Sequence, residues 1–104
     1  MNPWALLVIA GLMETGWAIG LKYSEGFTRI VPSALTVIGA AISFYLLSLA
    51  MKSIPVGTAY AVWVGIGAVG TAILAVMLFD EAFSLMRVLG ILLIIAGIVA
   101  LKFA

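Results

Sequence analysis

The chain of 104 residues has no cysteine and no histidine, and its five basic and four acidic residues amount to 9% of the sequence. Without cysteine there is no disulfide framework and no thiol nucleophile. With histidine also missing, most zinc sites and imidazole acid–base chemistry are excluded, and no cofactor is expected. A net charge of +1 leaves no polycationic surface for nucleic acid. Soluble domains carry about 25% charged residues, so a soluble catalytic domain is excluded as well. What fills the space is apolar: 66% of the residues are hydrophobic.

The apolar residues fall into four long stretches separated by three short polar ones. A bilayer-spanning helix needs about 20 residues, so four spans consume nearly the whole chain. We expect an all-α integral membrane protein: a single domain over 1–104, with spans at about 4–21, 31–51, 56–79 and 84–103. Continuous apolarity, rather than alternation every second residue, favours helices over a membrane barrel. Asn2 is an expected N-cap, and Pro3 suits a first helical turn. A signal peptide is disfavoured, because no basic residue precedes the first stretch and Glu14 interrupts it. The loop is expected to begin at Lys22. The fourth span has its uninterrupted apolar run only from Val88 to Leu101. Starting it at Ser84 gives it the length to span, with Arg87 reaching back to the headgroups.

Alternating spans put Lys52 and Lys102 on one side and Lys22, Arg29 and Arg87 on the other. Positive-inside sorting has little to act on in so even a distribution. Insertion in both orientations, and hence an antiparallel pair, is one outcome; a weakly biased single orientation is the other.

Three of the acidic residues, Glu25, Asp80 and Glu81, belong to loops, and Glu14 does not. From a helix start near Trp4, a rise of about 1.5 Å per residue carries Glu14 roughly 15 Å deep, close to the bilayer midplane. An unpaired carboxylate there costs a few kcal/mol, so it must face a cavity, meet a cation or carry a proton. Proton and cation competing for one site is the chemistry of an exchanger. A protonated helix–helix hydrogen-bonding group is the structural alternative. Lys22 lies about 12 Å up the helix, too far for an easy pair.

On helical spacing, Leu7, Ala10, Gly11, Trp17, Ala18 and Leu21 share the face of Glu14. Thr36, Gly39, Ala40 and Ser43 form one stripe of the second span, and Tyr60, Trp63, Gly67 and Gly70 one stripe of the third. A carboxylate with aromatic faces and hydroxyls makes an organic-cation site. Tyr60 and Trp63 could equally mark the membrane interface, and Ser43 could bond its own helix. Gly65 and Gly67 allow a hinge or close packing. Gly90 and Gly97 place a small-residue face on a span otherwise rich in Leu, Ile and Val, as a dimerisation element would. Gly16 and Gly20 form a similar pair in the first span.

Over essentially its whole length the chain resembles the small multidrug resistance transporters. The resemblance is carried by Ala10-Gly11 and Glu14, by Lys22-Tyr23-Ser24-Glu25-Gly26-Phe27-Thr28-Arg29, by Pro55 ahead of Gly57-Thr58-Ala59-Tyr60-Ala61-Val62-Trp63, and by Gly90 with Gly97. Trp17 and Gly65-Ile66-Gly67-Ala68 resemble the guanidinium-exporter subtype more than the quaternary-ammonium subtype, which usually has a small residue at the Trp17 position. The resemblance implies an antiparallel, dual-topology homodimer in the cell membrane that exports a cation against protons. It also implies roles. Glu14 of both subunits would bind proton and substrate, Trp17, Ser43 and Trp63 would orient or hydrogen-bond it, and Tyr60 would line or gate the site. Gly11 and Thr36 are further lining candidates. Val64, where the family usually has Thr or Ser, and Thr15-Gly16, where many relatives carry bulkier aliphatics, bear on substrate preference.

Guanidinium suits such a site because it is planar, weakly hydrated, forks onto a carboxylate and stacks on aromatics. The competing readings are a broader exporter of quaternary ammonium and lipophilic cations and, further off, a passive cation channel, a proton-conducting rotor subunit or a membrane chaperone. An intramembrane hydrolase lacks a Ser–Lys pair placed mid-span. Replacing Glu14→Gln should leave insertion and folding intact and abolish proton-coupled transport in reconstituted vesicles; coupled transport that survives it would remove Glu14 from its role.

Overall fold

The Asn2 side chain accepts a hydrogen bond from the Trp4 N–H at 2.8 Å, and Pro3 fills the first turn, where its missing donor costs nothing. From this start the computed structural model, which describes residues 2–104, runs through four helices: α1 Pro3–Tyr23, α2 Ile30–Ala50, α3 Val56–Phe79 and α4 Leu85–Lys102. Each is long and apolar enough to cross a membrane, and there is no strand among the described residues.

Lys22 and Tyr23 are helical, in contrast to the expected loop start at Lys22. Polar side chains at a helix end do not by themselves unwind it, and a basic group there suits the negative end of the helix dipole. Termination falls instead to Ser24, which is fully buried. Its hydroxyl donates to the Leu21 carbonyl at 2.7 Å and accepts from the Phe27 N–H at 3.2 Å, drawing the chain into a turn. Helix α3 stops where Asp80 adopts a left-handed conformation, φ 52°. Ser84 then caps α4 by accepting from the Arg87 N–H at 3.1 Å. The Arg87 guanidinium donates to the Glu81 carboxylate and the Ala82 carbonyl, both at 2.6 Å, so it closes the α3–α4 connection.

Helix α1 is the centre of the arrangement. It packs along α2 on one side and α3 on the other, while the backbone of α4 approaches α3 alone. The chain extends 39 × 34 × 18 Å. With packed helix axes about 8–10 Å apart, the short dimension holds about two helix layers, so the chain is a slab. The tightest packing is at the end where α1 begins and α2 ends, around Leu7, Ala10, Leu47, Ala50, Ala59, Val62 and Trp63. No residue of α4 is buried, and a Cβ built on Gly90 or Gly97 would meet nothing within 4 Å.

Glycine sets the close approaches. A Cβ on Gly11 would lie 2.7 Å from the Cβ and Cγ2 of Ile66, and one on Gly65 would lie 2.9 Å from the Cδ1 of Ile98. Gly20 receives Thr36, whereas Gly16 has nothing within 4 Å, so only one member of that pair is a contact. Gly11→Ala should therefore lower thermal stability in detergent by about 1–3 kcal/mol through overpacking. Gly16→Ala, gaining helix propensity without a clash, should leave it unchanged or higher. Equal melting temperatures for the two variants would contradict this packing.

Candidate functional site

Three helices contribute to the surroundings of Glu14. On α1 its neighbours by spacing are Ala10 and Gly11, both buried, and Trp17, half-buried one turn later. Glu14 is itself half-buried and lies across Gly67 of α3, where a Cβ would come within 2.7 Å of its Cγ. Only a glycine at that position lets the carboxylate lie against the α3 backbone. Trp17 in turn packs on Gly39 of α2, where a Cβ would sit 3.3 Å from the Trp17 Cβ.

The polar groups divide into satisfied and unsatisfied. Ser43 on α2 is fully buried, and its hydroxyl reaches across to α1, donating to the Ala10 carbonyl at 2.7 Å. The same oxygen accepts the Trp63 Nε1–H from α3 at 3.0 Å. One hydroxyl thus joins three helices, in contrast to the alternative in which Ser43 bonds its own helix. Thr36 does bond its own helix, donating to the Pro32 carbonyl at 2.8 Å, and it is buried against Gly20. Among the described residues, two buried side-chain polar atoms have no partner: the Glu14 Oε2 and the Trp17 Nε1. They belong to residues one turn apart on one face of α1. Among the described residues no basic side chain pairs with Glu14, and the ion pair present joins Arg87 to Glu81.

An aromatic row runs beside this face. Ring centroids lie 6.2 Å apart for Trp17 and Phe44, 5.4 Å for Phe44 and Trp63, and 5.6 Å for Trp63 and Tyr60, all tilted near 50°. Trp63 is 4% exposed and Tyr60 55%, so the row leads from the interior to the helix surface. A groove of about 410 Å³ opens along α1 and α2, walled by Trp17, Leu21, Val37, Ala40 and Phe44. Gly11 and Gly65 meet isoleucines rather than the carboxylate; of the three glycines Gly11, Gly65 and Gly67, it is Gly67 that lies against Glu14. Helix α3 is continuous through Gly65 and Gly67.

Two residues escaped the sequence reading. Phe44 completes the aromatic row, but in sequence it is one of many apolar residues in an apolar span. Thr15, weighed only as a departure from a family pattern, is buried at the α1–α3 contact, its hydroxyl 3.3 Å from the Gly67 carbonyl and 3.5 Å from that of Gly11. Helical spacing from Glu14 could not select it, because it points about 100° away around the helix.

The chain is similar to known proteins over nearly its whole length. A family model described as Small Multidrug Resistance protein matches residues 2–94. A protein of Yersinia pseudotuberculosis named guanidinium exporter is 61% identical over 101 residues, covering 97% of each chain. Proteins of the same name from Salmonella typhimurium and Escherichia coli K12 are each 56% identical over 99 residues, covering 95% of this chain and 94% of theirs. With four apolar helices and a match of this extent, the chain is a multi-pass membrane protein and belongs to the small multidrug resistance family.

Proposed function

We propose that the protein is a proton-coupled antiporter that exports guanidinium or small guanidinyl cations, with proton and cation competing for Glu14. The observation that carries this reading is the pair of unpartnered buried atoms on one face of α1, the Glu14 Oε2 and the Trp17 Nε1. A guanidinium ion brings donors in a plane that match a carboxylate, and its charge offsets the cost of an ionised acid in the membrane. When the cation leaves, a proton takes its place for the same electrostatic reason. The names of the similar exporters support the substrate class.

Each residue then has a task. Glu14 holds the proton or the cation. The Trp17 N–H is the free donor beside the site and its ring a face for a planar cation. Ser43 accepts from Trp63 and donates to Ala10, which leaves the Trp63 hydrogen-bonding atom committed and makes its ring a fixed wall. Tyr60, at the exposed end of the aromatic row, lines the way in or gates it. Gly11 and Thr36 shape the lining from the sides. Gly65 and Gly67 are the hinge of α3 between two exposures of the site.

The working unit in this reading is an antiparallel, dual-topology homodimer bringing two Glu14 carboxylates to one chamber. The slab shape of the single chain supports it, as does the unpacked α4 face carrying Gly90 and Gly97. A broader reading, export of quaternary ammonium and lipophilic cations, draws on the apolar groove beside Trp17 and Phe44.

Proteoliposomes decide between the substrates. Proton-coupled uptake of guanidinium should far exceed that of tetraphenylphosphonium, and both should vanish with Glu14→Gln; substantial uptake of tetraphenylphosphonium alone would overturn the guanidinium reading. Because the chain has no cysteine, a single one at the exposed Ser53 reports orientation. In intact cells a membrane-impermeant maleimide should label about half of Ser53→Cys molecules from outside, whereas labelling of all or none would contradict dual topology.

A further inference from the structure

Glu14 and Thr15 are consecutive on α1, and each enters a glycine site on α3. Glu14 lies against Gly67, and Thr15 fills the space at Gly70, where a Cβ would stand 3.1 Å from the Thr15 Cβ and Cγ2. Thr15 is 7% exposed. Its hydroxyl has two acceptors within reach, the Gly67 carbonyl of α3 at 3.3 Å and the Gly11 carbonyl of its own helix at 3.5 Å. The carbonyl it approaches on α3 belongs to the residue that forms the floor under the carboxylate. No other side-chain hydrogen bond among the described residues joins α1 directly to α3.

We propose that Thr15 is a positioning residue: its hydroxyl, bonded to the Gly67 carbonyl, fixes the register of α1 on α3 and so holds the Glu14 carboxylate where it receives a cation. The dual acceptor set makes the tie reversible. A threonine hydroxyl carries a single proton, and whenever α3 moves away that proton stays satisfied by the Gly11 carbonyl within α1. Breaking the cross-helix bond therefore orphans no buried donor. The Gly67 carbonyl also keeps a partner, because α3 is helical through Thr71. A bond that forms in one arrangement of α1 and α3 and is released cheaply in another suits a carrier that must reposition one helix against another. A valine in this place would fill the same volume and provide no such tie. The inference rests on the proposed role of Glu14 and adds the residue that aims it.

The test compares Thr15→Val, which keeps the shape and removes the hydroxyl, with Thr15→Ser, which keeps the hydroxyl and removes a methyl. Transport kinetics with guanidinium should show the KM of Thr15→Val raised about two- to tenfold, the range set by one hydrogen bond, with the maximal rate within about twofold of the parent chain. Thr15→Ser should return the KM to that of the parent. A KM unchanged in Thr15→Val, or raised equally in both variants, would overturn the inference, the latter because the methyl and not the hydroxyl would then be responsible. A second readout needs no transport. In detergent, with glutamate carboxyl carbons labelled and the Glu14 signal identified by its loss in Glu14→Gln, that signal should shift in Thr15→Val and return in Thr15→Ser. A Glu14 signal identical in all three chains overturns the positioning role even if the protein transports guanidinium. Failure of the parent chain to transport guanidinium refutes the substrate reading instead, and the carboxyl signal still decides on Thr15.

Discussion

A carboxylate on a membrane-spanning helix is costly wherever it is exposed to lipid, and every other feature of the site follows from where Glu14 puts it. The side chain lies against the backbone of α3 because position 67 is glycine, and α1 and α3 approach closely because Gly11 and Gly70 admit Ile66 and Thr15. These contacts bring the acid to the junction of α1, α2 and α3 without providing it a hydrogen-bond partner for its Oε2. In a chain of this composition, an unsatisfied buried acceptor is expensive unless something else visits it.

The satisfied groups explain why the unsatisfied ones stay in place. Ser43 joins α2 to α1 through the Ala10 carbonyl and to α3 through the Trp63 indole, one turn below Glu14 on α1. Beside it Phe44 bridges Trp17 and Trp63, so the aromatic row forms a continuous wall across three helices. By contrast α4 adds no buried side chain, and its backbone approaches that of α3 alone, with Lys102 reaching over the Trp4 ring of α1. Helices α1 to α3 carry Glu14 and the side chains around it, and in the proposed dimer it is the α4 face that meets the second chain.

Much of this was legible in the sequence, for identifiable reasons. The four helices announce themselves by apolar length, and Glu14 by being an acid where none belongs. The helical spacing rule also grouped Glu14 with Trp17, and Ser43 with Thr36. It could not say which of the two hydroxyls would reach another helix, because that depends on interhelical distance: Ser43 bonds across to Ala10, and Thr36 stays with Pro32. Nor did residue type place the end of α1, where a buried Ser24 rather than the charge of Lys22 stops the helix. Thr15 and Phe44 were invisible for a related reason. Their importance lies in which glycine or ring they meet, and that is set by helix packing rather than by local pattern.

The account stands on competition between a proton and a guanidinium ion for one acid. It is tested most directly by adding guanidinium to the detergent-solubilised protein in weak buffer and recording proton release. Release that saturates with guanidinium and disappears in Glu14→Gln is the expected result. Guanidinium binding with no proton released, or with the same release after Glu14 is replaced, would contradict it.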